Sequence, residues 1–140
     1  MTERPKDLAS AAVGDRLVFK TFPPITRHRL ALYCGASGDH NPIHVDIDFA
    51  RQAGFPDVFS HGMLVMAYLG QALTDAVPPQ AIRSFSTRFA AITQLGARLT
   101  CEGTVTELFE AAGEKRARLA LTTKDADGEV KLAGEAVVAL

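Results

Sequence analysis

The sequence predicts a single α+β domain in which an antiparallel sheet wraps around a central apolar helix. Three observations predict it. Residues 62–75, "GMLVMAYLGQALTD", are helix formers whose stretch Met63 to Leu69 is apolar on every side, and a helix apolar all round must be enclosed. Four strand-like segments then follow one another with short turn-like joins, as in an antiparallel sheet. Finally, 140 residues, 47% hydrophobic and 22% charged, suit one compact domain with a real core.

The elements follow in chain order. The first ten to twelve residues are polar or small and are expected to lie loosely on the surface. In "GDRLVFKTF", Gly14 and Asp15 supply turn chemistry, and Leu17, Val18, Phe19 and Phe22 are strand formers. Pro23 and Pro24 end that strand. Thr26 is the expected N-cap of a helix running to about Cys34, where Leu30, Tyr33 and Cys34 repeat at helical spacing before Gly35 and Gly38 stop it. A short helix is expected over Ile47 to Gln52. The central helix has Ser60 as its expected cap and ends before Pro78 and Pro79. The strands are read over Ile82 to Ala91, Leu99 to Phe109, Lys115 to Lys124 and Glu129 to Leu140. Gly96, Ala111-Ala112-Gly113 and Asp127-Gly128 mark the joins, the last a hairpin signal. A sheet curled around one greasy helix is the packing that satisfies all of these, the architecture called a hot dog.

Composition narrows the partners. A net charge of −1 offers no basic face to a nucleic-acid backbone. The longest apolar run falls far short of the ~20 residues of a membrane span. Two cysteines outside any CxxC pattern and a polar start, MTERPKDLAS, predict a cytoplasmic protein with reduced thiols.

The chemistry concentrates in "GASGDHNPIHVD", residues 35–46. A metal site is one reading, since Asp39, His40, His44, Asp46, Asp48 and His61 are all ligand types. Pro42 breaks the helix that would align His40 with His44, and neither HExxH nor a calcium loop is present, so no metal is expected. Gly35-Ala36-Ser37-Gly38 lacks the GxSxG spacing of a serine elbow, and Cys34 reads as a small buried residue. A plain polar turn built by Asp39 and Asn41 is the remaining competitor. Against it, a carboxylate and an imidazole five residues apart can converge across Asn41 and Pro42, and His61-Gly62 opens the enclosed helix. Unpaired N–H groups at a helix start suit a developing oxyanion.

These residues also carry a resemblance. Ser37-Gly38-Asp39-His40-Asn41-Pro42-Ile43-His44, followed by His61-Gly62-Met63 at a helix start, resembles the MaoC-like hot-dog enzymes: the (R)-specific enoyl-CoA hydratases and the (3R)-hydroxyacyl-ACP dehydratase subunits. The likeness extends over nearly the whole chain. It implies reversible hydration of a trans-2-enoyl thioester to a (3R)-3-hydroxyacyl thioester, without a cofactor. It further implies Asp39 and His44 as the catalytic pair holding water, the Gly62 N–H as the thioester-oxygen donor, and Asn41, His61 and Ser37 in support. The substrate would be an acyl-CoA or acyl-carrier-protein thioester, and the working form a homodimer or a heterodimer with another hot dog. Met63, Val65, Met66, Leu69, Phe85 and Phe89 are candidates to line an acyl tunnel. Arg83, Arg88 and Arg98 are candidate phosphate partners. The alternatives are a dehydratase subunit that needs a hot-dog partner, a thioesterase on the same fold, and a non-catalytic module that binds acyl thioesters.

Overall fold

A computed structural model describes residues 7–140. Five strands, β1 (Arg16–Thr21), β2 (Ile82–Phe89), β3 (Thr100–Ala111), β4 (Glu114–Lys124) and β5 (Val130–Ala139), form one antiparallel sheet in the order β1-β3-β4-β5-β2. Three helices precede β2: α1 (Arg27–Ser37), α2 (Ile47–Gln52) and α3 (Gly62–Ala76). The expected α+β architecture is thus present, with α3 against the sheet. Among the described residues no helix is long and apolar enough to cross a membrane.

Half of the N-terminal segment expected to be loose, residues 1–6, lies outside the described residues. Beyond it, Leu8–Ser10 makes a 3₁₀ turn and Ala11 is buried. Thr26 caps α1 as its sequence position predicts, its hydroxyl accepting from Arg29 N–H. The helix continues through Gly35 and stops only at Gly38, which is left-handed with φ +76°. The extra turn carries Ser37 on the helix and delivers the chain directly into Asp39.

The core lies between α3 and the concave face of the sheet. Leu64, Val65, Leu69 and Leu73 of α3 are buried against Val18, Leu119, Leu121 and Val138, and each fully buried leucine contributes about 1.5–3 kcal/mol. The expectation that α3 is enclosed on all sides needs correction: Met63 is 55% exposed and Ala67 is also exposed. The sheet curls over one face only and ends at edge strand β2.

A close approach fixes how β2 is seated, and a longer turn joins β4 to β5. Between β2 and β5, Gly134 lies opposite Thr87, and a Cβ at Gly134 would sit 2.0 Å from the Ser86 carbonyl oxygen. Between β4 and β5 the connection is longer than a two-residue Asp-Gly turn. There Asp125 Oδ1 accepts from the N–H groups of Asp127 and Glu129, and Gly128 takes φ +84°.

Candidate active site

The turn after α1 is built from its own side chains. Ser37 Oγ donates to the Tyr33 carbonyl at 2.6 Å and accepts from Asp39 N–H at 3.1 Å. Asp39 Oδ1 accepts from Asn41 N–H at 3.2 Å, and Asn41 Oδ1 accepts from Ile43 N–H at 3.1 Å. Asn41 thereby caps the 3₁₀ turn Pro42–His44, with Pro42 in its first turn. Ser37 and Asn41 therefore shape the backbone of this turn. The turn carries His44 inward to 8% exposure while Asp39 stays exposed.

His44 is fixed from a distant segment. Its Nδ1–H donates to the Phe59 carbonyl at 2.8 Å, which leaves Nε2 as the acceptor nitrogen of the neutral ring. Its face stacks on His61, with centroids 3.8 Å apart and planes 26° from parallel. His61 is 1% exposed, and the Tyr33 ring meets it edge-on at 4.7 Å. The Nε2 of His61 lies 3.4 Å from both the Asp39 carbonyl oxygen and Cys34 Sγ. A carbonyl can only accept, so that bond places the ring proton on Nε2. Nδ1 is then a buried lone pair with no partner among the described residues. Burial first, and then the neighbouring His44, lower the His61 pKa below its ordinary value. Burial, with Asp39 nearby, raises the Cys34 thiol.

One donor atom each from Asp39, His44 and His61 lies within 4.8 Å of the others. The structure thus brings together three of the residues singled out in the sequence, with a donor set that a divalent ion can use. Face-to-face imidazoles, however, direct their in-plane lone pairs side by side rather than toward a common centre. His40 and His28 are exposed and stand outside the cluster.

His61 is also the residue before α3. It occupies the N-cap position without a side-chain cap, and its carbonyl accepts from Leu64 and Val65 N–H. Gly62 is therefore the first helical residue, directly after the imidazole stacked on His44. Ser60, expected to cap the helix, instead donates its hydroxyl to the His61 carbonyl at 3.0 Å. Phe89 covers Gly62: a Cβ there would lie 2.9 Å from the phenyl ring.

A cavity of about 310 Å³ opens at this point, lined by Gly62, Val65, Phe89, Ala90, Ile92 and Lys131 among others. A second cleft, about 270 Å³, reaches His44 past Arg27, Ala31 and Val58. Of the residues proposed to line an acyl tunnel, Val65 and Phe89 face the first cavity, Leu69 is sealed in the core and Met63 faces outward. Arg83 is committed elsewhere, donating to the Glu114 carboxylate at 2.6 and 3.2 Å and to the Gln80 carbonyl. Arg88 and Arg98 are exposed.

Sequence reasoning missed the Phe59 carbonyl, Phe89 as the cover of Gly62, and Lys131. A carbonyl leaves no sequence signal, because any residue supplies one. Lys131 alternates with apolar neighbours in a strand and reads as solvent-facing, yet it is 1% exposed.

Residues 9–127 match the model of the family described as MaoC like domain. A 116-residue alignment to the (R)-specific enoyl-CoA hydratase of Rhodospirillum rubrum is 34% identical and covers 81% of this chain and 78% of that protein. The 3-hydroxyacyl-thioester dehydratase X of Mycobacterium tuberculosis is 42% identical over 66 residues, 47% of this chain and 23% of that longer protein. The solved structure of the R-hydratase PhaJ1 from Pseudomonas aeruginosa, in its unliganded form, superposes with TM-score 0.82 at 30% identity, covering 94% of this chain and 83% of that one.

Proposed function

We propose that this chain, which belongs to the MaoC-like domain family, is a hydro-lyase that adds water reversibly to a trans-2-enoyl thioester to give the (3R)-3-hydroxyacyl thioester. The observation that carries this reading is the convergence of Asp39 and His44 within 4.8 Å of each other and of His61, whose ring stacks on His44 and whose backbone leads directly into Gly62, the first residue of α3. The hydratase and dehydratase relatives support the substrate class.

The chemistry divides among these groups. Water held between the Asp39 carboxylate and His44 Nε2 loses a proton to the pair as its oxygen bonds to C3. The electrons of the C2=C3 bond move toward C2 and the thioester carbonyl, whose oxygen accepts from Gly62 N–H as negative charge develops. Water supplies both the hydroxyl at C3 and the hydrogen at C2, so the proton that the pair takes from water is balanced by the one it delivers to C2. The cycle returns both groups to their starting state, and dehydration is the same path reversed. The hydrogen bond from His44 to Phe59 holds the ring in the tautomer this needs.

The uncovered side of α3 favours a working unit with a second hot-dog subunit, identical or different. Met63 and Phe89 are 55% and 53% exposed beside the free edge of β2. A dehydratase subunit that needs such a partner is accordingly the second reading. Crotonyl-CoA, followed by loss of enoyl absorbance, separates the two. Hydration by the purified chain that is abolished in Asp39→Asn supports the first. Inactivity across short, medium and long enoyl-CoAs, with activity only when a second hot dog is added, supports the second. Release of free thiol would indicate thioester hydrolysis instead.

A further inference from the structure

We propose that Lys131 is a positioning residue for His44 and Gly62, acting through the strap of residues 90–94; this rests on the hydratase reading of the site. Lys131 is the largest of the fully buried side chains, 1% exposed, on β5 at the wall of the 310 Å³ cavity. A buried ammonium is costly unless every donor is used. Here Nζ donates to the Ile92 carbonyl at 2.9 Å, to Gln94 Oε1 at 3.1 Å and to the Glu129 carboxylate, with Asp125 Oδ2 at 3.5 Å. The Lys131 carbonyl also accepts from Ala90 N–H at 2.9 Å. One residue thus ties the strap at three points along its length.

The strap in turn holds the segment that makes the site. Gln94 forms an isolated antiparallel bridge with Phe59, and the Thr93 carbonyl accepts from Ser60 N–H at 2.8 Å. Phe59 supplies the carbonyl that orients His44, and Ser60 leads through His61 into Gly62. Strap, bridge and carbonyl form one continuous mechanical path from the Lys131 ammonium to both the base and the oxyanion donor. The strap belongs to no strand of the sheet, and these contacts tie it to β5 on one side and to the 59–60 segment on the other. A small displacement of reacting groups can cost on the order of a hundredfold in rate.

The test uses the full chain and two readouts. In Lys131→Met, kcat for crotonyl-CoA hydration should fall on the order of ten- to a hundredfold while KM changes much less. In histidine-labelled protein, the NMR signal of the His44 Nδ1–H bonded to Phe59 should shift or broaden into exchange. Glu129→Gln, which leaves both strap contacts of Nζ in place, should keep wild-type kcat and an unmoved signal. If Lys131→Met does not fold, Gln94→Ala removes one strap contact and should move both readouts the same way by less. A folded Lys131→Met, or failing that Gln94→Ala, with the His44 signal unmoved overturns the proposal, whatever the rate does. If the wild-type protein hydrates no enoyl thioester, the hydratase reading fails, while the NMR signal still decides whether Lys131 positions His44.

Discussion

The rings of His44 and His61 stack at 3.8 Å inside a site where only His44 is turned to a carbonyl through Nδ1. Stacked imidazoles repel one another when both are charged, so protonation of either is discouraged by protonation of the other. His61 is the more buried, at 1% exposure against 8% for His44. Burial and the neighbouring His44 both favour its neutral form.

The His61 titration should show this directly. Burial and His44 depress its pKa in the folded chain, whereas an unfolded chain returns it to the ordinary value near ~6.5. The unfolded state then binds more protons between those two values, so stability rises with pH there. The full contribution is present above about 6.5 and is lost as pH falls through the lower folded value. NMR should place the His61 midpoint below that of a free imidazole, and urea unfolding should show less stability at mildly acid pH. A midpoint at or above the free value contradicts the assignment.

Removing either member of the pair should abolish turnover without unfolding the protein. Asp39 is exposed and its Oδ1 accepts one backbone N–H, a bond that the carbonyl oxygen of Asp39→Asn can keep. His44→Gln removes the imidazole and its bond to Phe59. Each should lower kcat by about a hundred- to ten-thousandfold, with thermal melting close to wild type for Asp39→Asn. An Asp39→Asn enzyme within threefold of wild type would mean that another group activates the water.

Gly62→Ala separates packing from chemistry. The added methyl would meet the Phe89 ring at 2.9 Å, but that side chain is 53% exposed and can swing outward. Stability should change by less than about 1 kcal/mol. Hydration should fall, because the added methyl and the ring that it displaces reshape the cavity wall which Gly62 and Phe89 share, and Phe89→Ala in the same chain should restore part of it. Full activity in Gly62→Ala would place the substrate elsewhere.

Gly134→Ala should behave in the opposite way. Its Cβ would collide at 2.0 Å with the Ser86 carbonyl and at 2.7 Å with Thr87 Cα. Those are backbone atoms of the paired strand, with no flexible end to yield. A loss on the order of 3 kcal/mol is expected in urea denaturation. A change within about 0.5 kcal/mol would show that β2 and β5 separate at little cost.

Local chemistry made part of this legible before any coordinates. Thr26 caps α1, Ile47–Gln52 is a helix, and four strands follow α3, because capping hydroxyls, prolines and strand formers act within a few residues of themselves. Cap assignment at α3 failed for a related reason. The Ser60 hydroxyl can turn to the His61 carbonyl as readily as to the helix N–H groups, and only the surrounding backbone chooses between them. The enclosure of α3 also went further in expectation than in the chain, since the sheet covers one face of the helix.

What the sequence alone determined was the inventory: a carboxylate and an imidazole joined by Asn41 and Pro42, and a glycine at the head of an apolar helix. What only the tertiary structure decided was which remote groups hold that inventory in place. The Phe59 carbonyl on His44, His61 stacked against it, Phe89 over Gly62 and the Lys131 ammonium beneath the strap come from segments separated by up to 39 positions at a single contact. Such contacts depend on how the sheet curls around α3. They involve carbonyls, ring faces and a buried lysine whose identities carry no pattern along the chain.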